Sequence, residues 1–587
     1  MRPVARYTVG MPFRLMLAVL LLLAACGTAP AAPTTPPVPP VYPWVNGPPK
    51  SRDFFPIAVW YQNPLSPGGG RYATVADALV GEHINTIIGM AGSAGGGTPW
   101  PERFGSDDGE LMAMKSRGLY LVGAVATPYD AVAPAVDSVA SILALIAKHK
   151  ATASFIGYNI GDEPLCDSTT LPAQRRMNMV PTAVAGITAK DPTRPVFDNF
   201  NDWPLLPQWG GGCRADEEAA LKAVGVASFD YYSMTMPWTV ASLKIDGGDF
   251  TSVPNDALFQ QGLMVQALIE ISAPGKPVWP FVESGSDNFG FSGAVNFMAA
   301  ATSAGSTTLT NNYWWTRFTP TWIGLTVSGP GLAKDTRITG VIDANHVVLS
   351  RPATATGSNV TVTIGGGGKQ DSDCVEAANI CVVQGNAMRP TPEEVNAEVW
   401  MTLIAGAHGI QYFCHDSTDI QYCLGGAGSP GALATQANLT YINANVLRFA
   451  PMLNAPALGQ CSLRRINPFP GHRTSGQWAT TPACHNGIVT LATSDGKVPA
   501  RVLVKAADGV TYLLAQSDAR SPTGASFAFT LTGLGGKTAT VVYDSNEHYR
   551  AGHTQIGSVH KLDTGGSFSD TIGAFGSSYQ VKIYAIQ

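Results

Sequence analysis

The chain has 587 residues, too many for one hydrophobic core, and this length predicts two or three domains. Its formal net charge is −5, only 13% of its residues are charged, and it has no basic run, which argues against a nucleic-acid partner. The low charge, with 63 glycines and 43 prolines, fits an exported protein rich in loops and β-structure.

The first 26 residues predict a signal peptide. Three arginines precede an apolar run at 15–25 that is too short to span a membrane comfortably. The run ends in Leu-Ala-Ala-Cys, which resembles the bacterial lipobox and implies a lipid on Cys26. The alternative is an ordinary cleaved signal with a chance cysteine. Gly27 follows the cysteine, so we expect a protein anchored in the cell envelope, at the outer membrane or cell surface.

A proline-rich segment at 27–50 predicts a semi-rigid, extended linker that would hold a folded body away from a membrane. We therefore expect the folded chain to begin near Ser51. No second long apolar run follows, and no transmembrane helix is predicted.

The cysteines favour disulfides over a metal site. Without Cys26 eight of the nine remain, and an even number in an oxidising compartment indicates disulfide pairing. Neighbours in sequence are the natural partners: Cys374/Cys381, Cys414/Cys423 and Cys461/Cys484, which leaves Cys166 with Cys213. No CxxC spacing occurs, so we expect no structural zinc.

Eight short apolar segments recur between residues 54 and 416, and helical stretches follow most of them. They lie at 54–61, 84–90, 119–125, 154–160, 194–200, 226–232, 277–283 and 409–415. Continuous apolar runs are typical of strands buried on both faces of a parallel sheet. The alternation predicts an α/β fold, a (β/α)8 TIM barrel over 51–455. An open doubly wound sheet is less favoured, because no glycine-rich turn follows the first segment.

The helix before the eighth segment has clear start signals. Thr391 is a potential cap, Pro392 stands at the first helical position, and Glu394 completes a capping box. One apolar face is expected from Val395, Val399, Leu403 and Ile404.

Two further regions read as β-structure. Residues 303–367 contain short Thr/Val-rich strands and predict a small β-module inserted after the seventh barrel strand. A final helix is expected at 438–453. Beyond it, strands at spacings of 10 to 15 residues predict a C-terminal antiparallel β-sandwich over 456–587.

The predicted strand ends carry carboxylates, amides and aromatic rings, and in this fold they line the active site. The candidates are Trp60, Asp162, Glu163, Asn199, Trp203, Tyr231, Tyr232, Glu283 and His415. Lysine and arginine are scarce there and histidines are not clustered, so we predict neither a phosphate site nor a metal or other cofactor.

Glu163 and Glu283 end the fourth and seventh predicted strands. Two carboxylates across a barrel mouth suit glycoside hydrolysis, in which one donates a proton and the other attacks the anomeric carbon. This placement, with "GDEP" and "PFVESG" at the strand ends, resembles the clan A glycoside hydrolases over most of 54–587 outside the insert. The resemblance implies that Glu163 is the general acid/base, that Glu283 is the nucleophile, and that hydrolysis retains the anomeric configuration.

The remaining candidates are assigned to substrate binding. Asp162 stands where the family usually has asparagine, and an aspartate there could accept a hydrogen bond from the sugar 2-hydroxyl. Trp60, Trp203 and Tyr232 either stack on sugar rings or pack in the core. Tyr231 or Tyr232 could hydrogen-bond the nucleophile. Asn199 is a further candidate. His415 could contact substrate, or its loop could simply be held by a Cys414/Cys423 disulfide.

The leading hypothesis is thus a surface-anchored retaining glycosidase acting on a poly- or oligosaccharide. A non-catalytic carbohydrate-binding surface lipoprotein is an alternative, motivated by the insert and the sandwich. A transglycosylase that uses the same two glutamates is a third possibility.

Overall fold

The computed structural model describes most of the chain from residue 42 onwards, in segments. They are 42–61, 71–89, 114–124, 147, 151–164, 177–201, 214–231, 243–245, 248–250, 257–284, 294–311, 318, 323–324, 326–343, 345–365, 381–382, 388–389, 392–413, 430–466, 479–485, 488–493, 500–517, 525–550, 552–573 and 579–587. Cys26 and the predicted signal peptide lie outside these residues.

The strands are numbered in chain order. The first nine are β1 (Ile57–Tyr61), β2 (Thr86–Gly89), β3 (Tyr120–Ala124), β4 (Phe155–Asp162), β5 (Val196–Asn201), β6 (Val226–Asp230), β7 (Leu243–Ile245), β8 (Gly248–Phe250) and β9 (Phe281–Glu283). The next nine are β10 (Ala294–Thr302), β11 (Thr308–Asn311), β12 (Thr326–Ser328), β13 (Thr336–Asp343), β14 (His346–Leu349), β15 (Gly357–Gly365), β16 (Cys381–Val382), β17 (Met388–Arg389) and β18 (Ile410–Phe413). The last are β19 (Ala457–Ile466), β20 (Ala479–His485), β21 (Val489–Thr493), β22 (Ala500–Ala507), β23 (Val510–Ser517), β24 (Ala525–Leu531), β25 (Thr538–Asp544), β26 (Val559–Lys561), β27 (Ser567–Ile572) and β28 (Val581–Ile586).

The helices in the described part of the chain are numbered in the same way. They are α1 (Arg71–Gly81), α2 (Val180–Lys190), α3 (Arg214–Ala223), α4 (Ala257–Ile271), α5 (Pro392–Ile404), α6 (Pro430–Arg448), α7 (Ala450–Leu453) and α8 (Asn546–Tyr549). Among the residues described, none of these helices is long and apolar enough to cross a bilayer.

Eight parallel strands form the predicted TIM barrel. Their order is β6-β5-β4-β3-β2-β1-β18-β9, and each overlaps one of the predicted apolar segments. Among the described residues, one bridge joins β6 to the segment that leads into β9 and so closes the sheet: the Ala227 N–H donates to the Pro277 carbonyl at 2.9 Å, and the Trp279 N–H donates to the Ala227 carbonyl at 2.8 Å. The predicted fold class is therefore confirmed.

Alternation along the strands separates the barrel interior from the helix layer. One buried cluster takes alternate apolar residues from most of the strands, and the other apolar strand residues pack with the helices in a larger core. The interior cluster comprises Ala58, Trp60, Ile88, Val122, Ile156, Phe197, Val226, Trp279, Phe281 and Phe413.

Helix α5 differs from its prediction. Every side chain from Glu393 to Ile404 is buried, not just one apolar face. The reason is that α5 lies between the barrel and the C-terminal sheets: the Gln516 side chain donates to the Ala397 carbonyl at 2.9 Å, and the Trp400 indole N–H donates to the Tyr543 hydroxyl at 3.0 Å. The predicted cap, Thr391, lies outside the described residues.

The C-terminal region is the predicted antiparallel sandwich. One sheet has the order β20-β19-β22-β23-β28-β25-β26, and the facing sheet has the order β21-β24-β27. Cys461 and Cys484 are opposite each other on β19 and β20 and form a disulfide, as predicted. The other three predicted cysteine pairs each include residues outside the described part.

The insert is a small closed barrel of its own. Strands β10 to β15 pair antiparallel in the order β10-β11-β14-β13-β12-β15 around a separate apolar core. It begins at Ala294, ahead of the predicted residue 303. No strand signal was visible in the sequence of β10, because this strand is rich in alanine, which seldom favours strands. Ala294 pairs with Gly365, so the insert's two ends lie side by side.

The end of the predicted linker packs against the barrel. The Asn46 N–H donates to the Thr193 carbonyl at 2.9 Å, and the Trp279 indole N–H donates to the Tyr42 hydroxyl at 3.3 Å. Tyr42 also packs against the barrel-interior cluster, so the folded chain begins before Ser51.

Candidate active site

Glu163 follows the last residue of β4 and adopts an unusual backbone conformation. Its φ angle is 45°, in the left-handed region that non-glycine residues rarely occupy. Pro164 comes next, and a following proline normally favours an extended conformation. The Glu163 N–H donates to the Asn199 carbonyl at 2.8 Å, which fixes this turn against β5. Strained residues of this kind cluster at functional sites, so the geometry supports Glu163 as a site candidate.

Glu283 ends β9 on the inward face. Trp279 and Phe281 belong to the interior cluster, and Glu283 follows them at the same spacing of two. Its side chain is only 2% exposed. The next residue, Ser284, anchors the strand end, because its N–H and its hydroxyl both donate to the Phe413 carbonyl, at 3.0 and 2.9 Å.

The barrel brings the two glutamates to the same end. Around the closed sheet, only β5 and β6 separate β4 from β9, and all strands run parallel. The carboxyl ends of parallel barrel strands meet at one face, where the active sites of this fold lie. Glu163 and Glu283 therefore lie at the ends of strands that open onto the same mouth.

A polar layer lies inside the barrel at this end. The Ser228 hydroxyl donates to Asn199 Oδ1 at 3.1 Å, and Gln411 Nε2 donates to the Trp279 carbonyl at 2.7 Å and to the Ser228 hydroxyl. All three side chains are buried. Asn199 was predicted, but Ser228 and Gln411 were missed. Their signal was a polar residue at an inward position of an otherwise apolar strand.

The remaining predicted residues divide into described and undescribed positions. Trp60 is only 1% exposed and packs edge-on to Phe281, with ring centroids 5.4 Å apart, which fits the core-packing interpretation. Tyr231 is buried directly after β6. The backbone of Asp162 ends β4, but its side chain lies outside the described part, as do Trp203, Tyr232 and His415.

A third glutamate lies next to the site. Glu398 on α5 is fully buried, and its Oε2 accepts the backbone N–H of Glu283 at 3.2 Å. Burial first, and then the neighbouring Glu283 carboxylate, raises the pKa of Glu398 well above its usual value, which favours the neutral acid. Sequence analysis missed this residue because it treated α5 as a one-faced helix, although a glutamate amid its apolar positions was visible.

The described side chains offer no group of three or more histidines, cysteines, aspartates or glutamates that could hold a metal ion. What the mouth does contain is a pair of carboxylates in different settings: Glu163 half-buried on a strained turn, and Glu283 buried at the end of a strand. Such a pair can divide proton donation and nucleophilic attack between its members.

No protein-family model and no curated protein matches this sequence. Solved structures with similar folds include the Group IV chitinase of Ostrinia furnacalis in complex with allosamidin, with 12% identity over 68% of this chain and 100% of that chain, and a TM-score of 0.34. The Bacillus cereus spore cortex-lytic enzyme SleL has 9% identity over 66% and 74% of the two chains, with a TM-score of 0.30. AmyP in complex with maltotriose has 9% identity over 91% and 97%, with a TM-score of 0.39. Similarities this low do not assign the chain to a family.

Proposed function

We propose that this protein is a retaining glycoside hydrolase that cleaves O-glycosidic bonds in a poly- or oligosaccharide. The observation that supports the proposal is the position of Glu163 and Glu283 at the carboxyl ends of the fourth and seventh barrel strands. Two carboxylates flanking a bound glycoside are the minimum that this reaction requires.

The two glutamates have separate roles in the proposed mechanism. Glu163 protonates the leaving glycosidic oxygen while the Glu283 carboxylate attacks the anomeric carbon, which gives a covalent glycosyl-enzyme. Glu163, now ionised, then removes a proton from water, and that water attacks the anomeric carbon and releases Glu283. Two displacements at one carbon restore its original configuration.

Substrate contacts are proposed around this pair. Asp162 precedes Glu163 and would accept a hydrogen bond from the sugar 2-hydroxyl. The remaining proposed contacts are Trp60, Asn199, Trp203, Tyr231, Tyr232 and His415. Trp60 and Asn199 are buried, so their proposed contribution is indirect: Trp60 would support the floor of the site, and Asn199 would act through its hydrogen bond with Ser228.

A panel of plant, algal and cell-wall glycans, with product detection, tests the proposal. We expect wild-type cleavage of at least one glycan, no cleavage by Glu283→Ala, and a loss of about 10²-fold or more with Glu163→Gln. Asp53→Asn, an exposed carboxylate far along the sequence from both glutamates, is the control and should retain full activity. Full activity in either glutamate variant would contradict the assignment.

The products distinguish the alternatives. NMR of the first-formed anomer should show retention, and inversion would exclude Glu283 as a nucleophile. Transfer products that appear only with an acceptor sugar would indicate a transglycosylase. Glycan binding without cleavage, unaffected by Glu163→Gln, would indicate a carbohydrate-binding protein instead.

We also propose that the protein is lipid-anchored in the cell envelope through Cys26, with the proline-rich linker as a spacer. In a cell that processes bacterial lipoproteins, the wild-type chain should fractionate with membranes. Cys26→Ser should release it, and an unchanged membrane fraction would contradict the anchor.

A further inference from the structure

The edge of β9 that faces β6 has little strand pairing near the site. Odd-numbered residues of this segment direct their backbone groups toward β6, as the Pro277 carbonyl and the Trp279 N–H show by bonding Ala227. In the described part of the chain, this bridge is the pairing between β6 and the segment that leads into β9. The backbone groups of Phe281 and Glu283 on this edge therefore lie past the end of the pairing with β6.

Above this bridge, side chains supply hydrogen bonds to the backbone of this edge. Gln411 Nε2 donates to the Trp279 carbonyl at 2.7 Å, and Gln261 Nε2, from α4, donates to the Phe281 carbonyl at 3.2 Å. Glu398 completes the series by accepting the Glu283 N–H at 3.2 Å. A buried backbone N–H without an acceptor is costly in free energy. The bond from the Glu283 N–H to Glu398 therefore helps to fix the position of the end of β9.

We propose that Glu398 is a positioning residue, whose buried carboxyl on α5 holds the backbone N–H of Glu283 and thereby fixes the nucleophile in the barrel mouth. The inference rests on the proposed function for its catalytic consequence, but the contact itself does not. Glu398 lies on a helix buried on all sides, so it is a rigid support for the strand end.

The surroundings of Glu398 are acidic and phenolic. Its neighbours are Glu283 on β9, Glu394 on the same helix and Tyr412 on β18. Burial, followed by the carboxyl groups of Glu82 and Glu398, raises the pKa of the Tyr412 phenol. A neutral carboxyl can accept the Glu283 N–H without adding a second negative charge beside the nucleophile. Glutamine should therefore replace Glu398 well, because its amide oxygen is an equally placed neutral acceptor.

The test compares Glu398→Gln with Glu398→Leu, which fills a similar volume but accepts no hydrogen bond. Asn396→Leu is the matched control: Asn396 is equally buried on the same helix, but it accepts the Tyr543 hydroxyl at 3.0 Å and bonds toward the sandwich. We expect Glu398→Leu to lower kcat about 10- to 100-fold with little change in KM, Glu398→Gln to restore kcat to within a few-fold, and Asn396→Leu to lower Tm while leaving kcat unchanged.

Amide hydrogen exchange over residues 277–284 gives a readout that needs no substrate. Exchange should be faster in Glu398→Leu and close to wild type in Glu398→Gln and Asn396→Leu. Wild-type kcat and exchange in Glu398→Leu would overturn the inference, as would equal losses of kcat in Glu398→Leu and Glu398→Gln. If wild-type protein cleaves no glycan, the proposed function fails, and the exchange data alone decide whether Glu398 holds the end of β9.

Discussion

Lys505 is a buried lysine whose ammonium group lies against the end of α7. Its Nζ donates to the Ala455 carbonyl at 2.9 Å and to the Leu453 carbonyl. Carbonyl groups at the end of a helix need donors, which explains why a lysine is tolerated there. Burial nevertheless lowers the pKa of Lys505 to about 7, so the charged form is costly in the folded protein.

The lowered pKa of Lys505 predicts that the free energy of unfolding rises with pH above neutrality. Between about pH 7 and pH 10.4 the unfolded chain binds a proton at this lysine and the folded chain does not, so the free energy of unfolding increases with pH, by at most about 1.4 kcal/mol per pH unit. Lys505→Met should flatten this part of the curve, as measured by denaturant unfolding at pH 7, 8.5 and 10. Lys537→Met, at an exposed lysine, should leave the slope unchanged.

At the residue scale, the sequence predicted where the two glutamates lie along their strands but not what surrounds them. The spacing of the apolar segments identified Glu163 and Glu283 as strand-end residues, since strand ends follow from periodicity. The positive φ of Glu163 and the contact between Glu283 and Glu398 depend on how β4 and α5 pack. Packing between elements distant in sequence leaves no local pattern, so neither could be derived.

At the scale of elements, α4 and α5 show how the barrel and the sandwich constrain each other. Gly262 lies within α4, where a Cβ would come within 2.3 Å of Arg501 Nε and 2.9 Å of Met401 Sδ. Arg501 belongs to the sandwich and is fully buried, so it has little room to withdraw. The glycine is therefore required by the close approach of α4 to the sandwich and not by its backbone conformation.

Two glycine-to-alanine substitutions separate the effect of helix propensity from the effect of steric contact. Alanine is favoured over glycine inside a helix by about 1 kcal/mol, so Gly186→Ala on the exposed face of α2, where nothing lies within 4 Å, should stabilise the protein by up to that amount. Gly262→Ala should instead destabilise it by about 1–3 kcal/mol, because overpacking exceeds the helix gain. Both free energies come from denaturant unfolding, and a stabilising Gly262→Ala would contradict the tight contact.

The helices and strands were largely predictable from the sequence, but the elements that they pack against or pair with were less so. All eight barrel strands were found from continuous apolar runs, because burial on both faces leaves that pattern in the sequence. Helix α5 was located, yet its complete burial was missed, since the sandwich that covers it follows much later in the chain. The Ala-rich β10 was missed because its strand state comes from pairing with β15.

At the scale of the whole molecule, the largest buried cluster among the described residues joins the barrel to the sandwich, while the two sandwich sheets also enclose a cluster of their own. The main barrel core includes sandwich residues such as Leu503, Leu514 and Ile583, packed with residues of α5 and α6. The insert has its own core, centred on residues such as Leu309 and Val347, which shares no member with the main one. Barrel and sandwich should therefore unfold together, and the insert should unfold separately.

Deleting each part in turn tests this division. Because Ala294 and Gly365 are paired neighbours, replacing residues 294–365 by a short Gly/Ser linker should leave the main calorimetric transition within a few degrees of wild type and remove a smaller one. Truncation after residue 455 should give an aggregating or unfolded chain, because it exposes the apolar residues of α5, including Trp400 and Met401. A truncated barrel that melts cooperatively at the wild-type temperature would show that the sandwich is a separate unit. Loss of the main transition on removing the insert would show that the small barrel supports the large one, and would make its position after β9 a structural requirement.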